Sequence, residues 1–313
     1  MSPAVHWYRH RYHATGYLRV VFTIIPRLPK ILHPPAALVT AAVFFTLLKN
    51  ERRAVMRNLS VVTGRSGWRT WLNAYRVFFS FCDFIVSYCY VPQASDDELL
   101  AMLSDPDRGA AIIDRCLSQN RGLLVWTAHV ANWEFALRLL ELHGRRVVVA
   151  RMVEPNNPAE RQLRDLMTNK RLCTVDLLEP TAMFQLLAAL RAGDIVAVQG
   201  DRLLRGSGVT LPFFGRPTRF PAGPFHLALA AGVPVVPGIV VRTGWLRYRM
   251  MVAQPLWMNS EQPREESIRQ AMTGATAFLE ARLREYPQQW LNFFDIWPED
   301  ASSPVRQTCR THQ

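Results

Sequence analysis

Lysine is almost missing from this chain, and acidic residues are almost missing from its first quarter. Of the 37 basic residues in 313, three are lysine: Lys30, Lys49 and Lys170. Residues 1–76 set twelve basic side chains against one acid, Glu51, a net of +11, whereas the remaining 237 residues come to +1. The excess charge therefore belongs to the N-terminal region and not to the whole fold. Cysteine is scarce too. Cys82, Cys89, Cys116, Cys173 and Cys309 form no Cys-X-X-Cys pair and no grouping of metal-ligand type. Neither a disulfide framework nor a bound metal is expected, and a reducing compartment fits. There is no Walker sequence, no Gly-X-Gly-X-X-Gly and no His-Glu-X-X-His, and Gly206-Ser207-Gly208 lacks the spacing of a nucleophile elbow. Nucleotide-driven, dinucleotide-dependent, zinc-peptidase and serine-hydrolase chemistries thus lose their usual parts. No cofactor is called for.

What is present starts with the basic region itself. Its arginines alternate with Trp7, Tyr8, Tyr12 and Tyr17 and with the apolar runs Val20–Ile25 and Ala36–Leu48. Aromatic and aliphatic residues interleaved with arginine suit an anionic membrane surface; a nucleic-acid partner is not expected. Ile31–Leu48 carries no formal charge, but His33 and Pro34-Pro35 interrupt it. The clean part, Ala36–Leu48, would be about 20 Å long as a helix, short of a bilayer core of roughly 30 Å. Residues 15–50 are read as an interfacial or re-entrant anchor on the cytoplasmic face, with a single span as the alternative. No secretory leader is expected.

Beyond the anchor, helical patterns are expected over 36–50, 51–62 and 68–90, the last with Asp83 inside an otherwise apolar core helix. An acidic, amphipathic stretch from Asp96 reaches about Leu117. Strands then alternate with helices: strand 122–128, helix 133–143, strand 146–151, helix 159–170, strand 173–178, helix 181–191 and strand 195–200. Val209–Arg219 combines a Pro-bounded apolar edge with a turn at Gly215. Helix 223–232, strands 233–241 and 246–253 and a long helix over 265–286 follow. The alternation predicts an α/β fold, a central mostly parallel sheet flanked by helices, with an N-terminal apolar and basic helical membrane anchor. The expected organisation is a membrane-associating region over 1–60, a catalytic domain over 61–298 and a polar tail over 299–313.

Chemistry concentrates where strands end. His129 leaves strand 122–128, and Glu134 follows five residues later at the start of a helix. Imidazole supplies a near-neutral pKa, and a carboxylate can hold the ring in one tautomer and stabilise its charged form. Spacing alone is weak, because composition yields about 0.6 such pairs by chance. A lone histidine of this kind also suits a core position bonded to a backbone carbonyl. The strand–His–turn–helix setting favours the base. Gly200-Asp201-Arg202 stands at the same place on strand 195–200, so Asp201 is a second candidate acid, with a turn or helix cap as its plainer role. Arg202 and Arg205 are candidates for binding a phosphate or an oxyanion. No side-chain nucleophile accompanies His129, so direct attack by an activated acceptor is the economical mechanism.

Trp126-Thr-Ala-His-Val-Ala-Asn-Trp-Glu134, Gly200-Asp201, Leu211-Pro-Phe-Phe-Gly215, Val233-Pro-Val-Val-Pro237 and Tyr286-Pro-Gln-Gln-Trp290 occur in one order. That order, with Arg57-Asn58-Leu59 upstream, resembles the lysophospholipid acyltransferase superfamily, and most closely its bacterial lipid A lauroyl/myristoyl acyltransferase branch. The resemblance runs from about residue 17 to Trp297. It implies transfer of a fatty acyl chain from acyl carrier protein, or less often coenzyme A, to a hydroxyl of a membrane lipid at the inner membrane. It matches His129 to the base, Glu134 to its acidic partner and Asp201 to a carboxylate that also approaches the histidine. Arg151 and Arg164 match arginines that flank the site. Two departures keep the acceptor open. Leu291–Trp297 is acidic and aromatic where lipid A enzymes tend to be basic, and His226 replaces a small or apolar residue. A lysophospholipid, glycerolipid or mannoside acyltransferase of the same superfamily, or a catalytically silent membrane-binding homologue, are the alternatives.

Overall fold

The computed structural model describes residues 24–105, 107–118, 121–153, 171–203, 208–258 and 261–297. The expected helix over 159–170, Arg164, Arg205, the first part of the anchor and the polar tail lie outside those residues.

Helix α1 runs from His33 to Leu47, with Pro34 and Pro35 in its first turn. A first turn has no use for those two N–H groups, so the prolines begin the helix instead of interrupting it. His33, Ala37, Ala41 and Phe45, four residues apart, are buried. On the outer face Val39, Val43 and Leu47 are 66%, 48% and 66% exposed. An apolar row facing solvent behind an apolar row facing the core is what a bilayer-contacting helix presents. Phe45 sits edge-on to Trp71, Tyr75 and Phe78 at 5.0, 5.8 and 5.3 Å. These rings belong to α3 (Trp68–Ser87), which follows α2 (Lys49–Thr63). Both 30–47 and 68–93 are long and apolar enough to cross a membrane by length and composition. The second is largely buried against the rest of the protein, as a core helix is. Its Asp83 carboxylate lies 3.2 Å from Arg242 Nε, and burial pushes it up to about 6 against the pull of that guanidinium.

Short helices α4 (Asp96–Ala101) and α5 (Asp107–Leu117) fill the acidic stretch, α4 opening on a capping box between Ser95 and Glu98. The α/β part then unrolls as β1 (Leu123–Thr127), α6 (Trp133–Glu141), β2 (Val147–Arg151), β3 (Leu172–Asp176), α7 (Ala182–Arg191) and β4 (Ile195–Gln199). A hairpin, β5 (Gly208–Phe213) and β6 (Arg216–Pro221), precedes α8 (Gly223–Ala231), β7 (Val235–Gly244), β8 (Arg247–Val252) and α9 (Arg264–Glu285). Phe214 and Gly215, with φ of 52° and 72°, form the two-residue hairpin loop where a turn was expected. The sheet order is β3-β2-β4-β1-β7-β8, parallel except for β8 on the edge.

Strand residues alternate between two apolar layers. Leu124, Trp126, Val148, Val196 and Val198 face a core shared with α7, α8 and α9. Leu123, Val125, Val147, Ile195 and Ala197 face one shared with α1, α3, α5 and α6. Near-continuous apolar strands are what a sheet covered on both faces requires.

The Arg57-Asn58-Leu59 element has a long-range task. Asn58 is buried on α2, donates to the carbonyls of Phe294 at 2.7 Å and Asn292 at 3.4 Å, and accepts from the Ile296 N–H at 3.1 Å. Arg57 pairs with Asp295. The helix thus runs past residue 60, where the anchor was expected to give way, and clamps the acidic, aromatic segment after Trp290. Asn58→Ala strands three backbone groups, and unmet hydrogen bonds of this kind cost roughly 1–3 kcal/mol each. The expected result is a melting temperature several degrees lower by circular dichroism; an unchanged melt would deny the clamp.

Candidate active site

In a parallel sheet, adjacent strands deliver their carboxyl ends side by side, and ligands gather there. β1 and β4 pair from Leu123↔Ile195 to Thr127↔Gln199. Two residues beyond each strand stand His129 and Asp201. Gly200 permits the approach: a Cβ there would lie 1.8 Å from the Trp126 indole nitrogen.

His129 Nδ1 donates to Asp201 Oδ1 at 2.7 Å, and the His129 backbone N–H donates to Oδ2 at 3.2 Å. Trp290 Nε1 donates to the same Oδ2 at 3.0 Å. Asp201 is therefore an acceptor of three hydrogen bonds and fully buried, while the His129 side chain is 18% exposed. With Nδ1 engaged, Nε2 carries the lone pair. Burial, aided by the charge of Arg202, holds the imidazole below its ordinary value despite Asp201. Burial alone would raise the Asp201 carboxyl, but His129, Arg202 and Trp290 hold it well below the usual carboxylate range. The pair rests as neutral imidazole beside carboxylate, the state a general base needs.

The loop carrying His129 is held from the C-terminal side. The Leu291 N–H donates to the His129 carbonyl and the Ala131 N–H donates to the Gln289 carbonyl, both at 2.8 Å. Ala131 adopts a left-handed φ of 45°, a conformation that a non-glycine residue keeps only where its surroundings enforce it. Gln289 is buried and bonds through its side chain to the N–H and carbonyl of Arg242. The Pro-Gln-Gln-Trp sequence thus registers the His129 loop against β7, and its tryptophan bonds to Asp201. Asn132 caps α6 by accepting from the Phe135 N–H at 3.0 Å, and its amide donates to Ser87 at 2.8 Å and Tyr248 at 3.3 Å.

The two candidate carboxylates are divided. The one bonded to the imidazole is Asp201. Glu134, buried in the first turn of α6, accepts from the Trp133 indole at 3.2 Å and lies 3.5 Å from Arg151 Nη2. Helix α6 turns its start toward the end of β2, which carries Arg151, so Glu134 serves a different neighbour. Arg202 follows Asp201 but donates to the Leu291 carbonyl at 2.8 Å and stacks on Phe294 at 4.9 Å. Burial lowers it to about 10, partly offset by Asp201. Arg151 and Arg202 flank the pair. Sequence reasoning assigns no role to Trp290, Gln289 or Asn132, although the motif holding the first two is visible in it.

A cavity of about 50 Å³ runs beneath α6. Val125, Val149, Ala197, Leu137 and Leu140 make its apolar walls, and Thr127, Arg151 and Gln199, the last residues of β1, β2 and β4, stand at one end with Trp133. Trp133 lies edge-on to His129 at 5.3 Å.

Among curated proteins, similarity extends to a phosphatidylinositol mannoside acyltransferase of Mycobacterium tuberculosis, 28% identical over 151 residues, which is 47% of each chain. The protein of that name from Mycolicibacterium smegmatis is 30% identical over 125 residues, 39% of this chain and 40% of the relative. The chain matches about half the length of these relatives. The broader match is to bacterial lipid A biosynthesis acyltransferases, over residues 6–298. With that span covering nearly every element above, the chain belongs to the bacterial lipid A biosynthesis acyltransferase family.

Proposed function

We propose that this chain is a membrane-associated O-acyltransferase that moves a fatty acyl group from a thioester donor to a hydroxyl of a lipid acceptor. The observation that carries the reading is the partly exposed His129–Asp201 pair, whose imidazole sits edge-on to Trp133, a wall residue of the apolar cavity. His129 takes the acceptor hydroxyl proton as its oxygen attacks the thioester carbonyl. The new C–O bond forms, the C–S bond breaks, and the imidazolium returns the proton to the departing thiolate. Arg151, steadied by Glu134, and Arg164 are assigned by resemblance to the oxyanion or an acceptor phosphate, and Arg205 to the same role by its place after β4. Lost oxyanion donors typically cost about 3–4 kcal/mol. The cavity under α6, about 50 Å³, is assigned to a part of the acyl chain only.

The donor is read as acyl carrier protein, or coenzyme A, and the site of action as the cytoplasmic face of the inner membrane. Twelve basic residues in the first 76 and the exposed face of α1 support the membrane contact. An arginine near an anionic surface contributes on the order of 1 kcal/mol. The acceptor is read as a glycolipid. The family name favours lipid A, and the mannoside acyltransferase relatives favour a sugar hydroxyl of another membrane glycolipid. Lipid mass spectrometry of cells lacking and regaining the chain distinguishes the two. A lipidome with no acyl group lost would overturn the reading and leave a silent membrane-binding protein.

The lowered imidazole sets the pH profile. His129 is protonated, and useless as a base, only below its folded value, which lies under the ordinary figure of about 6.5. The acid limb of kcat/KM is expected below pH 6.5, with a plateau through neutrality. A limb centred above about 7 would contradict the assignment.

A further inference from the structure

A second cleft opens between α1 and α3, with a volume of about 370 Å³. It shares no lining residue with the cavity under α6. Arg76 and Arg242 line it together with Tyr75, Gln288, Leu38 and Phe79. Arg76 is exposed on α3, and its guanidinium makes one long hydrogen bond, 3.4 Å, to Asn73. Arg242 is 20% exposed, sits over the Phe79 ring at 5.0 Å and has its Nε 3.2 Å from Asp83. Five donors on a guanidinium leave most of its fork for another partner. The Tyr75 hydroxyl donates to the Leu38 carbonyl at 2.9 Å and ties the two walls together.

The charges suit one class of ligand. Two guanidiniums against the single buried carboxylate of Asp83 leave one positive charge, the complement of a phosphodiester. Arginine forks bind such oxygens in bidentate fashion. The rim tells which phosphodiester. Leu38 is 44% exposed, and beside it runs the bare aliphatic row Val39, Val43 and Leu47, with Trp71 half-exposed on the facing helix. A soluble phosphate compound gains nothing from that surface, whereas a lipid lays its acyl chains along it. Tryptophan at such a border matches the headgroup level of a bilayer.

We propose that the α1–α3 cleft seats the phosphodiester headgroup of an anionic membrane phospholipid, apart from the acyl-transfer site. Its occupant orients the protein on the bilayer. The proposal rests on the membrane contact read above but not on catalysis.

The test is calorimetry on the full chain in neutral detergent with monomeric dihexanoylphosphatidylglycerol. A monomeric lipid avoids the bulk attraction of vesicles for the basic N-terminal region. Saturable one-to-one binding is expected, at least tenfold tighter than for dihexanoylphosphatidylcholine and stronger than for inorganic phosphate. Arg76→Glu, on the surface and outside any buried network, is expected to abolish it. Asp83→Asn removes the competing charge without changing shape and is expected to tighten it severalfold. His129→Ala is expected to bind as the unaltered protein does, so failure of the acyl-transfer reading and failure of the seat remain separate results. Equal binding of the choline lipid or of free phosphate, no binding, or indifference to both Arg76→Glu and Asp83→Asn would overturn the proposal.

Discussion

His129→Ala is expected to remove acyl transfer while leaving a folded, lipid-associating protein. A positioned general base contributes about 10²- to 10⁴-fold, or roughly 3–6 kcal/mol of barrier. No other described histidine is bonded to a carboxylate at these strand ends. Folding should survive for a local reason. The ring is partly exposed, and its removal leaves Asp201 still accepting from the His129 backbone N–H and from Trp290. The burial cost of that carboxylate therefore remains largely met. The Leu291 N–H bond to the residue 129 carbonyl is likewise untouched. Thiol release from an acyl thioester, measured with and without lipid acceptor, gives the rate, and circular dichroism gives the fold. Turnover within about tenfold of the unaltered protein would end the assignment of His129 as base.

Much of this is legible from local pattern. Strand 195–200 carries apolar side chains to both faces of a covered sheet, and such a run reads the same way in sequence and in space. Both strands that end in site residues lie within a residue or so of their expected bounds, and the sheet is mostly parallel as the alternation implies. What stays hidden depends on contacts between distant segments. The choice between Glu134 and Asp201 turns on β4 lying next to β1, an order that periodicity does not encode. Trp290 reaches Asp201 across 89 residues, and Asn58 reaches Phe294 across 236. Pro34-Pro35 reads as a break because proline inside a helix is costly, yet in the first turn it is not. Membership of the acyltransferase family is readable from motif order, and the match over residues 6–298 bears it out.

Asp201→Asn is expected to cost nearly as much activity as losing the imidazole, and far more than Glu134→Gln. Two donors, the His129 N–H and the Trp290 indole, converge on Oδ2 of Asp201. An asparagine satisfies them only by placing its oxygen there, which turns its NH₂ toward His129 Nδ1. That ring nitrogen must then accept, so the proton moves to Nε2 and the lone pair that should meet the acceptor is gone. In Ser-His-Asp hydrolases the equivalent change costs about 10⁴-fold in kcat by the same tautomer switch. Glu134→Gln keeps an oxygen for the Trp133 indole and for Arg151 and removes only the charge between them. Its effect should be about tenfold and fall mainly on KM, as expected for a residue that positions an arginine. Nitrogen-15 NMR of the imidazole would register the tautomer directly, with Nδ1–H in the unaltered protein and Nε2–H in Asp201→Asn. If Glu134→Gln proved the more damaging change, or the ring kept its tautomer without Asp201, the carboxylate steering the base would have to be Glu134, reached through a rearrangement of the first turn of α6.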